Sequence, residues 1–325
     1  MPVPKHEYVS EVWKDGIFAN KVIFCTGGAG TICSMQVRAF VHLGANACIV
    51  GRKVEKTEQA AKDLETARAG AKVLGIGEVD VRKYEDLAKA AEKCVKELGG
   101  IDFVIAGAAG NFLASINQLS PNAFKTVIDI DVIGSYNTLK ATLPYLLKSA
   151  EKCKSDGLTP SPNGTGGRII FISATMHYMG QALQTHVNAA KAGVDALSVA
   201  VAIEQGPFGI TSNVISPGAI AGTEGFARLS KKGTDPMKSP RIPLGRVGTV
   251  RDIADATVYL FSDAGSYVNG EVLYDYIADS NSIVDGGAWH VSGTQPGAQW
   301  QYPEFLLSGK DVTDAGGSGG KKSKL

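Results

Sequence analysis

The chain has 325 residues, 44% hydrophobic and 20% charged, with a formal net charge of +1. These values fit a globular protein with a sizeable core and exclude a global field suited to nucleic acid or an anionic membrane. Five cysteines without a C-x-x-C pair and five histidines without ligand spacing argue against a disulfide framework and against a bound metal.

Lys21 to Thr26 (KVIFCT) reads as a buried strand ending at a glycine cluster, Ser34 to Leu43 as a helix and Ala45 to Val50 as a second strand. A charged helix is expected over Glu55 to Ala69, strand three over Val73 to Val81, a helix over Tyr84 to Leu98 and strand four over Ile101 to Ala106. A long helix spans Pro121 to Lys148, with its proline early, where the missing N–H does no harm. Arg168 to Ile172 is strand five, Gln181 to Glu204 an apolar-striped helix and Ile210 to Ile215 strand six. Strands alternating with helices at this pace imply a parallel sheet covered on both faces. Ser155 to Gly167, rich in Gly, Pro and Ser, is a loop. No apolar run approaches the roughly 18 residues of a membrane span. One domain is expected over residues 1–300, followed by a flexible tail over 301–325. The tail carries a glycine-rich tether and then Ser323-Lys324-Leu325, the tripeptide read by the peroxisomal import receptor.

Thr26-Gly27-Gly28-Ala29-Gly30-Thr31-Ile32-Cys33 lies between the first strand and first helix, where bare backbone N–H groups at a helix N-terminus meet a pyrophosphate. Strand two ends at Val50-Gly51-Arg52-Lys53. No acid stands there for a ribose 2′-OH, and two cations follow that suit a 2′-phosphate, so NADPH is the expected cofactor.

These residues resemble the T-G-x-x-x-G-x-G turn of the short-chain dehydrogenase/reductase family, with the family's second and third glycines falling on Thr31 and Cys33. Asp80 matches the adenine-binding position, and Ala106-Gly107-Ala108-Ala109-Gly110 resembles the turn beside the cofactor ribose. Pro217-Gly218-Ala219-Ile220, continuing to Thr223, resembles the motif at the nicotinamide. The resemblance implies a single-domain α/β fold, a Rossmann-like doubly wound parallel sheet with a C-terminal substrate lid over Thr223 to Gly248, and a homo-oligomer.

Of the family's Asn-Ser-Tyr-Lys set only the lysine is kept, at Lys191; Val187 stands at the tyrosine position, Ala174 at the serine and Asp131 at the asparagine. Valine cannot donate a proton, so ordinary ketone chemistry loses its acid/base. The sequence looks like the peroxisomal 2,4-dienoyl-CoA reductases, a branch with this altered set, on Ala108-Ala109-Gly110-Asn111-Phe112, Leu119-Ser120-Pro121-Asn122-Ala123-Phe124, Asp129-Ile130-Asp131 and Gly222-Thr223-Glu224-Gly225. That branch implies hydride transfer from NADPH to a 2,4-dienoyl thioester, giving a trans-3-enoyl-CoA in an auxiliary step of β-oxidation. Asp131 is then expected to position a water as proton source, with Tyr178 as the second candidate acid and Lys191 holding the nicotinamide ribose. An acid four residues from apolar Val127 on a long helix is unlike core filler, because isolated buried carboxylates are costly. Arg82, Asn111, Phe112, Ser120, Pro121, Asn122 and Arg228 match substrate contacts, while His177 and His186 read as structural. The rival readings are a peroxisomal trans-2-enoyl-CoA or ketoacyl reductase and a non-catalytic NADPH-binding protein of this fold. Asp275 to Ile283 separates Leu273-Tyr274 from Val284-Asp285-Gly286-Gly287 and interrupts the expected last strand.

Overall fold

Alternating side chains along five-residue apolar strands must bury on opposite faces, and here they do so in one sheet. The computed structural model describes residues 3–155, 159, 161, 163, 166–223, 226–227, 242 and 244–273. The strands are β1 (Val22–Thr26), β2 (Asn46–Val50), β3 (Val73–Ile76), β4 (Phe103–Ala106), β5 (Arg168–Ile172), β6 (Thr211–Ile215) and β7 (Val272–Leu273). They pair in parallel in the order β3-β2-β1-β4-β5-β6-β7. Ile23 and Cys25 face one core, with Val37 and Phe40 of helix α1 (Thr31–His42), Leu64 of α2 (Val54–Glu65) and Ile253 and Phe261 of α8 (Val250–Phe261). Val22 and Phe24 face the other core, with Leu87 and Cys94 of α3 (Tyr84–Leu98), Leu139 and Leu146 of α5 (Gly134–Ser149) and Val194 of α7 (Thr185–Gln205). The expected doubly wound sheet is therefore present.

The segment before β1 packs onto α8. The Ser10 backbone N–H and Trp13 Nε1 each donate to Asp255 Oδ1 at 2.9 Å, and Tyr8, Val9 and Phe18 are buried in the first core. Helix α8 begins at a capping box: Thr249 Oγ1 accepts from the Asp252 N–H, and Asp252 reaches back to the Thr249 N–H. That signature, T-x-x-D, stands in the sequence.

The first helix starts three residues earlier than expected, at Thr31, strand four starts at Phe103 instead of Ile101, and further expected elements change for local reasons. Strand three stops at Ile76 and not Val81, because Glu78 takes a left-handed φ of 58° that turns the chain out of the sheet. The charged helix ends at Glu65 instead of Ala69, where the Thr66 hydroxyl donates to Asp63 O, a side-chain bond that competes with the helical ladder. The helix expected over Pro121 to Lys148 is α4 (Pro121–Ile128) and α5 joined by a π-helical turn, Asp129–Ile133. The helix expected from Gln181 starts at Thr185, after the short α6 (Met176–Met179), because Gly180 and Leu183 both take positive φ, 73° and 67°.

Of the expected lid, Ile220 and Gly248 form a parallel bridge that ties its two ends together, while most residues between lie outside the described residues. So do Arg228, Asp275 to Ile283 and the tail with Ser323-Lys324-Leu325.

Candidate active site

All parallel strands end on one edge, and the strand order reverses between β1 and β4, leaving a crevice there. Gly27 enters the turn after β1 with φ 68°, and a Cβ on it would sit 3.0 Å from the Ala108 backbone. A Cβ on Gly28 would meet Ile49 at 2.5 Å. Only glycine fits at either position. Gly30 is the N-cap of α1, so Thr31 and Ile32 present first-turn N–H groups toward the crevice. Thr26 Oγ1 accepts from the Gly107 and Ala108 N–H groups at 3.2 and 3.4 Å, tying the turn after β1 to the turn after β4. Cys33, at the third glycine position, does not crowd the phosphate approach. Its Sγ packs on Gly107, where a Cβ would meet it at 2.3 Å. The bare cradle at the N-terminus of α1 fits a pyrophosphate.

Arg52 and Lys53 are exposed just past β2. Asp80 lies close enough to Arg52 to feel its charge, and the Arg82 guanidinium grips the Asp80 carboxylate at 2.9 and 3.0 Å through Nε and 2.5 Å through Nη2. Those bonds, chiefly from Arg82, hold the Asp80 carboxyl below its usual range. Arg82, expected at a substrate phosphate, is thus paired with Asp80. Pro217 is buried, its carbonyl accepting from the Thr175 N–H at 3.1 Å, and the Thr223 hydroxyl donates to Ile220 O at 2.8 Å. Gly218 follows in the same loop beside the end of β6.

The π-helical turn carries Asp131 inward, where it is 0% exposed. Its Oδ1 accepts from the Gly110 N–H at 2.7 Å, and its Oδ2 lies 3.0 Å from Lys191 Nζ. That second contact is an ion pair at poor hydrogen-bonding alignment, since Nζ donates to Ile172 O at 2.9 Å and Oδ2 has no hydrogen-bond partner. Asp131 Oδ2 thus keeps an unfilled acceptor position beside the Lys191 ammonium. The family's tyrosine position is closed by an apolar cluster: Val187 packs with Val127 and Ala190, bordered by Phe112, Ile128, Val132 and Met176.

Two further residues border the site: His186, taken from the sequence as structural, and Asp195, not singled out there. His186 is buried, stacks on Phe112 with ring centroids 4.1 Å apart, and its Nε2 donates to Phe112 O at 3.0 Å. Burial pushes its pKa down against the opposing pull of the Phe112 carbonyl and Asp131, so it serves as a neutral support for Phe112. Asp195, one turn beyond Lys191 on α7, accepts at Oδ2 from both the Tyr178 hydroxyl and His177 Nε2, the latter at 2.8 Å. An acid four residues after the lysine on one helix face was the available signal. Ser120 caps α4, accepting from the Ala123 N–H at 3.1 Å, with Pro121 and Asn122 exposed in its first turn. Asn111 is exposed at the rim and Phe112 half-buried.

The profile of the family described as Enoyl-(acyl carrier protein) reductase matches residues 27–276. The chain is 50% identical to the peroxisomal 2,4-dienoyl-CoA reductase [(3E)-enoyl-CoA-producing] of Saccharomyces cerevisiae, over 91% of this chain and 92% of the yeast protein. It is 37% identical to the protein of that name from Danio rerio, over 87% and 86%. Among solved structures, a short-chain dehydrogenase from Bacillus anthracis superposes with a TM-score of 0.67 at 30% identity, covering 87% of this chain and 99% of that one. The chain belongs to the short-chain dehydrogenase/reductase family, the nicotinamide-dependent oxidoreductases built on this sheet.

Proposed function

Within that family, we propose that this protein is an NADPH-dependent 2,4-dienoyl-CoA reductase that forms trans-3-enoyl-CoA in the peroxisomal matrix, an auxiliary step in β-oxidation of unsaturated fatty acids. One observation carries the reading: the tyrosine position of the family is an apolar wall around Val187, while Lys191 survives and is paired with the buried Asp131. A site built this way has lost the acid for a ketone and kept a cation and a carboxylate for an enolate.

NADPH, when bound, supplies a hydride to C5 of the dienoyl thioester. Gly27, Gly28, Ala29, Gly30, Thr31 and Ile32 would cradle its pyrophosphate, Arg52 and Lys53 its 2′-phosphate, Asp80 its adenine, and Lys191 with Pro217, Gly218, Ile220 and Thr223 its nicotinamide end. Negative charge arriving on the thioester oxygen needs donors and a proton. Lys191 places a positive charge beside the site, and Asp131 Oδ2 has the free lone pair to orient a water toward the α-carbon. Phe112, held by His186, forms the flat wall for the diene. Asn111, Ser120, Pro121, Asn122, Arg82 and Arg228 are proposed for the acyl-CoA. Exposed Ile133 and Tyr136 at the start of α5, and Val199 and Ile203 on α7, give apolar surface for a homo-oligomer. Ser323-Lys324-Leu325 addresses the import receptor.

The test is NADPH oxidation by purified protein with 2,4-hexadienoyl-CoA, crotonyl-CoA and acetoacetyl-CoA in parallel. The dienoyl thioester is expected to be reduced at least about 10²-fold faster than the others, the lower end of the help that a general acid gives. Equal or better turnover of crotonyl-CoA or acetoacetyl-CoA assigns one of the rival reductases, and no turnover of any assigns a binding protein.

A further inference from the structure

His177 sits outside the machinery described above, yet it is bound at both ring nitrogens. Nδ1 lies 2.6 Å from Ala174 O and Nε2 lies 2.8 Å from Asp195 Oδ2. A carbonyl oxygen and a carboxylate oxygen both accept, so each ring nitrogen faces an acceptor and is placed to donate. The same Asp195 oxygen also accepts from the Tyr178 hydroxyl, and the His177 and Tyr178 rings lie 3.6 Å apart at 44°. Asp195 Oδ1 is buried without a hydrogen-bond partner, so Oδ2 holds the hydrogen bonds that the carboxylate receives from these two side chains.

A phenol has one hydrogen. While Tyr178 gives it to Asp195 it cannot give it to a substrate oxygen. Turning that hydrogen away would leave a buried carboxylate bare if Tyr178 were its sole donor, which is costly. His177 removes the obstacle, because its Nε2 contact stays on Asp195 Oδ2 whichever way the phenol hydrogen points. We infer that His177 is a positioning residue that frees Tyr178: it keeps Asp195 satisfied, so the Tyr178 hydroxyl can swing its hydrogen to the thioester oxygen as negative charge arrives there. The charged groups around it are Asp195 and, one helical turn back along α7, Lys191 with its partner Asp131. The inference rests on the dienoyl-CoA reading for its substrate, and on hydrogen-bond counting for the state of the ring.

The experiment is a double-mutant cycle on 2,4-hexadienoyl-CoA with a readout that does not depend on turnover. His177→Phe keeps a flat ring against Tyr178 and removes the bond to Asp195. It is expected to lower kcat about tenfold or more, the scale of one charged hydrogen bond, with KM for NADPH unchanged. Tyr178→Phe should cost a similar factor, and the double variant should be no worse than Tyr178→Phe alone, because His177 acts through Tyr178. His177→Gln, whose amide N–H can still reach Asp195, should recover most of the loss. Fully additive losses, or an unchanged kcat in His177→Phe, overturn the inference. Nitrogen NMR of the labelled histidines in the intact protein should show His177 with hydrogen on both nitrogens, and a bare Nε2 overturns it independently. If the parent protein ignores dienoyl-CoA while His177 is doubly protonated, the functional reading falls and the Asp195 pairing stands.

Discussion

Asp131 is fully buried against Lys191, with one oxygen on the Gly110 N–H and the other without a hydrogen-bond partner. If it orients the donor water, Asp131→Asn keeps the shape and loses the charge. We expect kcat on dienoyl-CoA to drop by about 10²-fold or more, the lower end for general acid/base help, with NADPH binding nearly intact. Breaking a buried ion pair typically costs about 3–5 kcal/mol of stability, so a melting curve of the variant must show it folded at assay temperature. Parental turnover in folded Asp131→Asn would end the role of Asp131 and pass the proton to Tyr178 or solvent. Cofactor choice is also a single-residue question. Replacing Arg52 and Lys53 together by Ala should erase an NADPH preference of about tenfold or more, since each charged hydrogen bond contributes about 1.5–3 kcal/mol; equal use of NADH and NADPH by the parent protein sinks the assignment. Asp131 and Lys191 were legible through the resemblance to the family's Asn-Ser-Tyr-Lys set, and the two cations through their place at the end of strand two. The i, i+4 spacing of Asp195 from Lys191 was legible too, but its pairing with His177 was not, because that contact joins α6 to α7 across a turn that no periodicity encodes.

At the scale of elements, the least expected feature is the π-helical turn Asp129–Ile133, which the apolar spacing of Pro121 to Lys148 does not distinguish from plain helix. A single widened turn shifts which side chains face inward, and such turns recur at functional sites. The junction of α1 with the turn after β4 is the other departure. A glycine position is filled by Cys33, and Gly107 is what makes room for its sulfur. The side chain at this family glycine position lies on the sheet side, against Gly107, and not on the phosphate side. Gly107→Ala should therefore destabilise the protein by about 1–3 kcal/mol, as overpacking does, and weaken cofactor binding. Adding Cys33→Gly should restore both. Urea denaturation of the four proteins in the cycle measures the coupling, and additive effects would mean that the sulfur and Gly107 do not compete for one space.

For the molecule as a whole, the βα alternation fixed class and strand sequence, because parallel strands read as short apolar runs between amphipathic helices. What the sequence left out was α8 and its dock for the first twenty residues, whose hydrogen bonds to Asp255 span more than two hundred positions. Placement in the cell belongs to this scale too, since the proposed address lies outside the described residues. Gly316-Gly317-Ser318-Gly319-Gly320 precedes Lys321-Lys322 and Ser323-Lys324-Leu325, a composition of the kind that makes a linker. A receptor-read tripeptide depends on its last side chain and on the free carboxylate beside it, so deleting Leu325 moves the carboxylate and removes the apolar contact in one step. A fluorescent reporter fused ahead of the chain should then be diffuse in the cytosol instead of punctate. The truncated enzyme, assayed after purification, should keep its full kcat, because the tail is proposed to lie apart from the catalytic domain. Punctate import of the Leu325 deletion would show that the address is read elsewhere, and a loss of kcat on the same deletion would show that the tail reaches the active site.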